Sequence, residues 1–276
     1  MRTHNPVLSR QDAFTPAQQY SPQQQYGGPG AEPQGYGPGL QQPQGPQGPQ
    51  QSQGLMTFED VVTKTSIMIG LVILAAAAAW FLVPESLTWI GIIASGLIGF
   101  VCAMIVGFRR KISPPLMFLY AAVEGVFVGL FSRIFEGFYD GIVMQAVFAT
   151  LVAAGVTLAA YKFFNIRVTP KFQKIVVIAT IAFAAAMLLN FGLSFAGINL
   201  GLRSGVTGSV SLLAIGVSAL AVVLAVFNLI MDFDHIERGI AMRAPAEQSW
   251  VAAFGLTVTL VWLYVELLRI ISYIRR

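Results

Sequence analysis

From residue 57 onward the chain alternates long apolar stretches with short polar ones. The stretches run from about Ser66 to Val83, Leu87 to Phe108, Leu116 to Phe135, Ile142 to Phe164, Ile175 to Gly197, Val206 to Asp232 and Val251 to Ile274. Each approaches or exceeds the roughly 20 residues that a helix needs to cross the hydrocarbon core of a bilayer. The intervals carry helix-breaking signals, Pro84-Glu85-Ser86 after the first run and Pro114-Pro115 before the third. Thr57-Phe58-Glu59-Asp60 reads as a helix start, with Thr57 as the cap and acids in the first turn. The pattern predicts an all-α membrane protein with seven transmembrane helices over residues 57–276. Residues 1–56 form a separate tail rich in Gln, Pro and Gly. It has too few apolar residues to offset the entropy of ordering, so it is expected to be disordered. It also lacks the apolar core of a signal peptide, so no cleavage is expected.

Composition narrows the function. The chain is 55% hydrophobic and 11% charged over 276 residues, with mean hydropathy +0.68. The single cysteine, Cys102, excludes an internal disulfide or a cysteine metal cluster. His235 is the one histidine outside the tail, so it is the only realistic histidine base. The net charge of +4 comes from basic residues beside apolar runs, where they orient helices rather than bind nucleic acid. Arg109, Arg110 and Lys111 follow the second run, Lys162, Arg167, Lys171 and Lys174 follow the fourth, and Arg238 and Arg243 follow the sixth. These loops, and with them the N-terminus, are therefore expected in the cytoplasm. Arg275-Arg276 at the outer end of an odd number of spans is the one discordant signal. Ser95-x3-Gly99, Gly125-x3-Gly129, Gly192 with Gly197 and the alanine run at 75–79 are expected to let helix backbones approach closely.

The candidate chemistry lies in carboxylates within the apolar runs. An ionised acid in a spanning helix costs several kcal/mol and normally faces a partner or a water-filled cavity. Asp232 ends the sixth run, Asp234 follows it, and Glu266 lies well inside the seventh. If the last two helices pack as an antiparallel hairpin, Asp232 and Glu266 approach each other. Two carboxylates in contact cannot both ionise cheaply, so such a pair shares a proton and responds to pH. When deprotonated it offers hard oxygen ligands for transient Ca²⁺. Glu124, near the middle of the third run, is either a further pathway residue or a hydrogen-bond partner of Asn190 or Asn228. Asp234 is a secondary pathway candidate, although a solvated helix end explains it as well. No H-E-x-x-H, G-x-S-x-G or Walker loop occurs, no cofactor motif is visible, and no internal repeat of the transporter kind is evident. These features argue against an enzyme.

Glu124-Gly125 with Gly129 in the third run, Asp232-x3-Ile236 in the sixth and Leu263-Tyr264-Val265-Glu266 in the seventh resemble the Bax inhibitor-1 (transmembrane Bax inhibitor motif) family, in its bacterial branch. The resemblance covers about Thr57 to Ile274 and excludes the tail. It implies a seven-helix fold with helix seven enclosed by the other six, in a bacterial inner membrane. It also implies a pH-sensitive calcium leak, with calcium as permeant ion rather than cofactor. In that family a proton-sharing acid pair on helices six and seven is the sensor, and Asp232 and Glu266 match it. An arginine at the end of helix two latches onto the pair, and Arg109 matches best, with Arg110 as the alternative. Glu266 departs from the family's aspartate by one methylene, and the connector between the two acids is longer. The alternative is a membrane scaffold that modulates other membrane proteins, such as a membrane-bound protease, with the acids as structural hydrogen-bond partners. Proton-coupled transport of a small solute is a third reading.

Overall fold

The computed structural model describes residues 54–109, 112–198, 200–203 and 209–276. The tail up to residue 53 lies outside them, as does the latch candidate Arg110. The chain forms α1 (Phe58–Leu82), α2 (Thr88–Phe108), α3 (Pro114–Phe138), α4 (Ile142–Phe163), α5 (Pro170–Phe195), α6 (Leu212–Ala241) and α7 (Gln248–Ile274). All seven are long and apolar enough to cross a membrane, and among the described residues there is no strand. The protein is a multi-pass α-helical membrane protein.

The helix starts follow local chemistry. Thr57 caps α1 as expected, its hydroxyl accepting from the Asp60 amide at 3.2 Å. Thr169 and Ser211 cap α5 and α6 in the same way. Pro114 and Pro170 occupy first turns, where no amide partner is needed. Two boundaries differ from the sequence expectation. The tail boundary at residue 56 falls in a packed stretch, since Met56 is buried and its amide donates to the Ala244 carbonyl at 2.8 Å. Helix α6 continues to Ala241, so Asp232 and Asp234 lie within it rather than at its end. An Arg238–Asp234 ion pair at 2.6 Å, spaced i to i+4, supports that extra length.

Without water to drive association, membrane helices rely on close packing. Gly125 and Gly129 of α3 lie directly on α1, where a Cβ would fall on the carbonyls of Val72 and Ala76. The alanine run of α1 supplies the facing surface, as expected. Gly192 does not behave this way: a Cβ there would meet nothing within 4 Å. Gly197 serves conformation instead, taking φ 76° just beyond the end of α5.

Helix α7 is the core of the bundle, with fourteen buried residues against one, Val176, on α5. Its closest neighbours are α1, α3, α4 and α6. The enclosure is completed more loosely by α2, whose Cys102 packs in the same apolar cluster as Phe254, and by α5, whose Phe183 ring lies 5.9 Å from Trp262. The start of α1 and the α6–α7 connector lie on one face, joined by the Met56–Ala244 bond and by Lys64, which donates to the Ala246 carbonyl. On the opposite face Arg133 of α3 donates to the carbonyls of Trp80 and Val83 and to the Thr88 hydroxyl, tying α1 and α2 to α3.

Candidate functional site

One stripe of α7 carries the polar groups of the bundle interior. Residues 255, 259, 262 and 266 follow one another at spacings of three or four, which places them on a single face. At the lower level, nearer the N-terminal face, the Thr259 hydroxyl donates to Asp232 Oδ2 at 2.7 Å. Gly255 completes that level: a Cβ there would lie 3.2 Å from Asp232 Oδ1, so the missing side chain makes room for the carboxylate. At the upper level Glu266, only 2% exposed, receives both arms of Arg203, each at 2.7 Å. Such fork-to-fork pairs are the strongest form of the interaction, because two parallel charged hydrogen bonds fix the geometry. Between the levels stands Trp262 with Phe183 beside it.

Arg203 belongs to the connection between α5 and α6 and joins three helices. Its guanidinium lies over the Phe183 ring of α5 at 5.8 Å, donates to Ser218 of α6 at 3.2 Å and pairs with Glu266 of α7. A second cation is close, because Arg269 is one turn beyond Glu266 on the same helix. Arg269 rests over the Phe131 ring at 5.4 Å, and its enclosed Nε has no hydrogen-bond partner.

Several expectations are corrected by this geometry. Asp232 and Glu266 do not meet. Seven residues of α7 separate Thr259 from Glu266, about 10 Å of helix rise, so the acids occupy two levels and neither bonds the other. They therefore cannot jointly coordinate one Ca²⁺ ion, and among the described residues no three His, Cys, Asp or Glu side chains gather as a metal site. Arg109 is not the latch in this arrangement. It caps the end of α2 and lines a cavity of about 260 Å³ with Ser113 and Gln248 at the N-terminal face. The guanidinium bound to an acid comes from Arg203, which reads in the sequence as a lone charge in a short loop. Its pairing depends on where that loop folds back, and spacing carries no signal for that.

The secondary candidates also settle. Glu124 bonds neither Asn190 nor Asn228. It lies against α2, where Gly99 leaves space for its carboxylate: a Cβ at 99 would be 2.9 Å from Glu124 Oε2. Asn228 instead donates to Thr180 and to the Leu224 carbonyl, each at 2.8 Å. Asp234 is a tether, accepting the Val168 amide and pairing with Arg238, which also donates to the Val168 carbonyl. It thereby fastens the α4–α5 loop to α6. His235 is exposed beside it.

The order of these features along seven helices agrees with a comparison against protein families, in which the model described as Bax inhibitor 1 like matches residues 5–276. The chain belongs to the Bax inhibitor 1-like family. The family match extends through most of the Gln/Pro/Gly-rich stretch, which the motif resemblance alone leaves out. No individual curated protein matches the chain. Within the family frame, the distinctive features of this chain are the two-level arrangement on α7 and the arginine that clamps its upper level.

Proposed function

We propose that this Bax inhibitor 1-like membrane protein is a non-enzymatic, proton-sensitive calcium leak whose conduction follows the polar stripe of α7. The observation that supports the reading best is the bidentate Arg203–Glu266 pair, which holds α5, α6 and α7 together at one end of that stripe. Protonating Glu266 removes the charge that Arg203 holds. Arg203 and Arg269 are then two neighbouring cations without an intervening anion, and their repulsion drives Arg203 outward. Below this closure, Asp232 is the carboxylate that a permeating cation meets, steadied by Thr259. The N-terminal face, with its basic loops, is the cytoplasmic one in this reading, and the membrane is a bacterial inner membrane.

The test is calcium flux into liposomes that contain the purified full-length protein, measured across external pH. Wild-type flux rises as pH falls, Glu266→Gln conducts strongly at all pH values, and Asp232→Asn conducts weakly at all of them. Folded, inserted protein that gives no flux above empty liposomes refutes the leak. That outcome would favour the scaffold reading, which draws its own support from α5: with Val176 its only buried residue, this helix offers nearly its whole length to lipid or to a partner helix.

A further inference from the structure

A second polar constellation lies away from α7, at the N-terminal face, where α1 begins and where α4 and α6 end. These three helix ends enclose a half-open cavity of about 270 Å³, with apolar walls that include Phe58, Leu158 and Ile240. Its polar lining is Tyr161, Lys162 and Glu237. The Tyr161 hydroxyl donates to Glu237 Oε2 at 2.6 Å, which orients the carboxylate and leaves Oε1 without a hydrogen bond among the described residues. The Lys162 ammonium lies 5.6 Å from the centroid of the Phe58 ring and has no carboxylate partner among the described residues. One cation and one anion thus border the same cavity, yet they are not paired with each other. A ligand that carries the opposite charges in the reverse order satisfies both.

The cavity's position identifies the source of such a ligand. Phe163 and Phe164, immediately after Lys162, are 87% and 78% exposed, and aromatic side chains in that setting mark the membrane–water interface. Leu151 and Phe148, further up α4, are exposed towards the hydrocarbon and offer a surface for acyl chains. The volume suits a headgroup rather than a whole lipid. We propose that this cavity binds the headgroup of a phosphatidylethanolamine lipid, with Lys162 holding the phosphate and Glu237 the primary ammonium. Lysine is a compact donor suited to a phosphate diester, and an ammonium with three protons can donate to Glu237 Oε1. A choline headgroup has no proton to donate, and a glycerol headgroup has no cation. The site therefore discriminates by headgroup amine.

The experiment follows the thermal unfolding midpoint of the full-length protein in detergent micelles. Dioleoyl-phosphatidylethanolamine, the matching phosphatidylcholine and phosphatidylglycerol, or soluble O-phosphoethanolamine is added at equal concentration. A ligand bound only by the folded state raises the midpoint by mass action. The ethanolamine lipid raises it by several degrees more than the other two lipids, and Lys162→Ala and Glu237→Gln each remove that increment. Both side chains are exposed, so these variants fold, and their midpoints without lipid match the wild type. Equal shifts from all three lipids, or an ethanolamine increment that survives both substitutions, would overturn the proposal. So would an equal shift from soluble O-phosphoethanolamine, because the ligand would then be a free aminophosphate.

Discussion

Replacing one member of the Arg203–Glu266 pair produces an asymmetric loss of stability, and the asymmetry follows from the local charges. The Glu266 side chain is 3% exposed and that of Arg203 17%, so the pair sits largely out of water. Removing one partner of a buried pair strands the other charge, at a cost of about 3–5 kcal/mol. Glu266→Gln meets that condition fully, because it leaves Arg203 and Arg269 facing each other without an anion. Arg203→Met is milder. It keeps an apolar side chain against Phe183 and leaves Glu266 with Arg269 one turn away, so the loss is about 1–3 kcal/mol, that of an unmade charged hydrogen bond. The double variant removes both charges together and should cost less than the sum of the single changes. The coupling energy should fall in the upper part of the roughly 0.5–3 kcal/mol seen for residues in contact. Equilibrium unfolding in mixed micelles, followed by tryptophan fluorescence, measures all three, and Trp262 reports from beside the site. A Glu266→Gln loss no larger than that of Arg203→Met, or losses that add within about 0.5 kcal/mol, would refute the buried clamp.

Two further changes test the packing and the lower level of the stripe. Gly129→Ala places a Cβ on the Ala76 backbone and should destabilise by about 1–3 kcal/mol, whereas Gly137→Ala, later in the same helix with open space around it, should stabilise slightly. Thermal midpoints of the two variants, compared side by side, check that contrast. Thr259→Val keeps the shape but removes the donor to Asp232, which costs about 1–3 kcal/mol by unfolding titration; Thr259→Ser should recover most of it.

The seven helices were legible because hydropathy over a span of some 20 residues is a strong, local signal. The caps at Thr57 and the close glycines of α3 were legible for the same reason, each resting on a few adjacent residues. Identifying Asp232 and Glu266 as the unusual acids needed only their apolar surroundings. Their joint placement did not follow, because it depends on helix register. Extending α6 by nine residues beyond Asp232 puts that acid opposite Gly255 and Thr259 rather than opposite Glu266. Arg203 was hidden for a different reason: in sequence it is a polar loop residue with no periodicity, and only the folded connection brings its guanidinium back onto α7. Glu124 shows the same limit, since its neighbour proved to be a glycine on α2 rather than an amide.

The charges at the upper level also fix what opening must accomplish under the proposed leak. Two guanidinium groups, Arg203 and Arg269, surround one carboxylate, Glu266, which leaves a net charge of +1 beside the Trp262–Phe183 aromatic pair. A divalent cation approaching this level is repelled, more strongly in a low-dielectric interior than in water. Changing the ionisation of Asp232 alone, two turns below, does not lift that barrier; Arg203 must leave. Arg203→Met therefore conducts without any need for acid. It conducts calcium better than Glu266→Gln does, because it keeps the carboxylate and removes a cation, whereas Glu266→Gln keeps both cations and loses the anion. Flux at neutral pH in matched liposomes orders the proteins as Arg203→Met above Glu266→Gln above wild type. If Arg203→Met is folded but as silent as wild type at neutral pH, the pair is not the closure, and the barrier lies instead at the aromatic contact between Phe183 and Trp262.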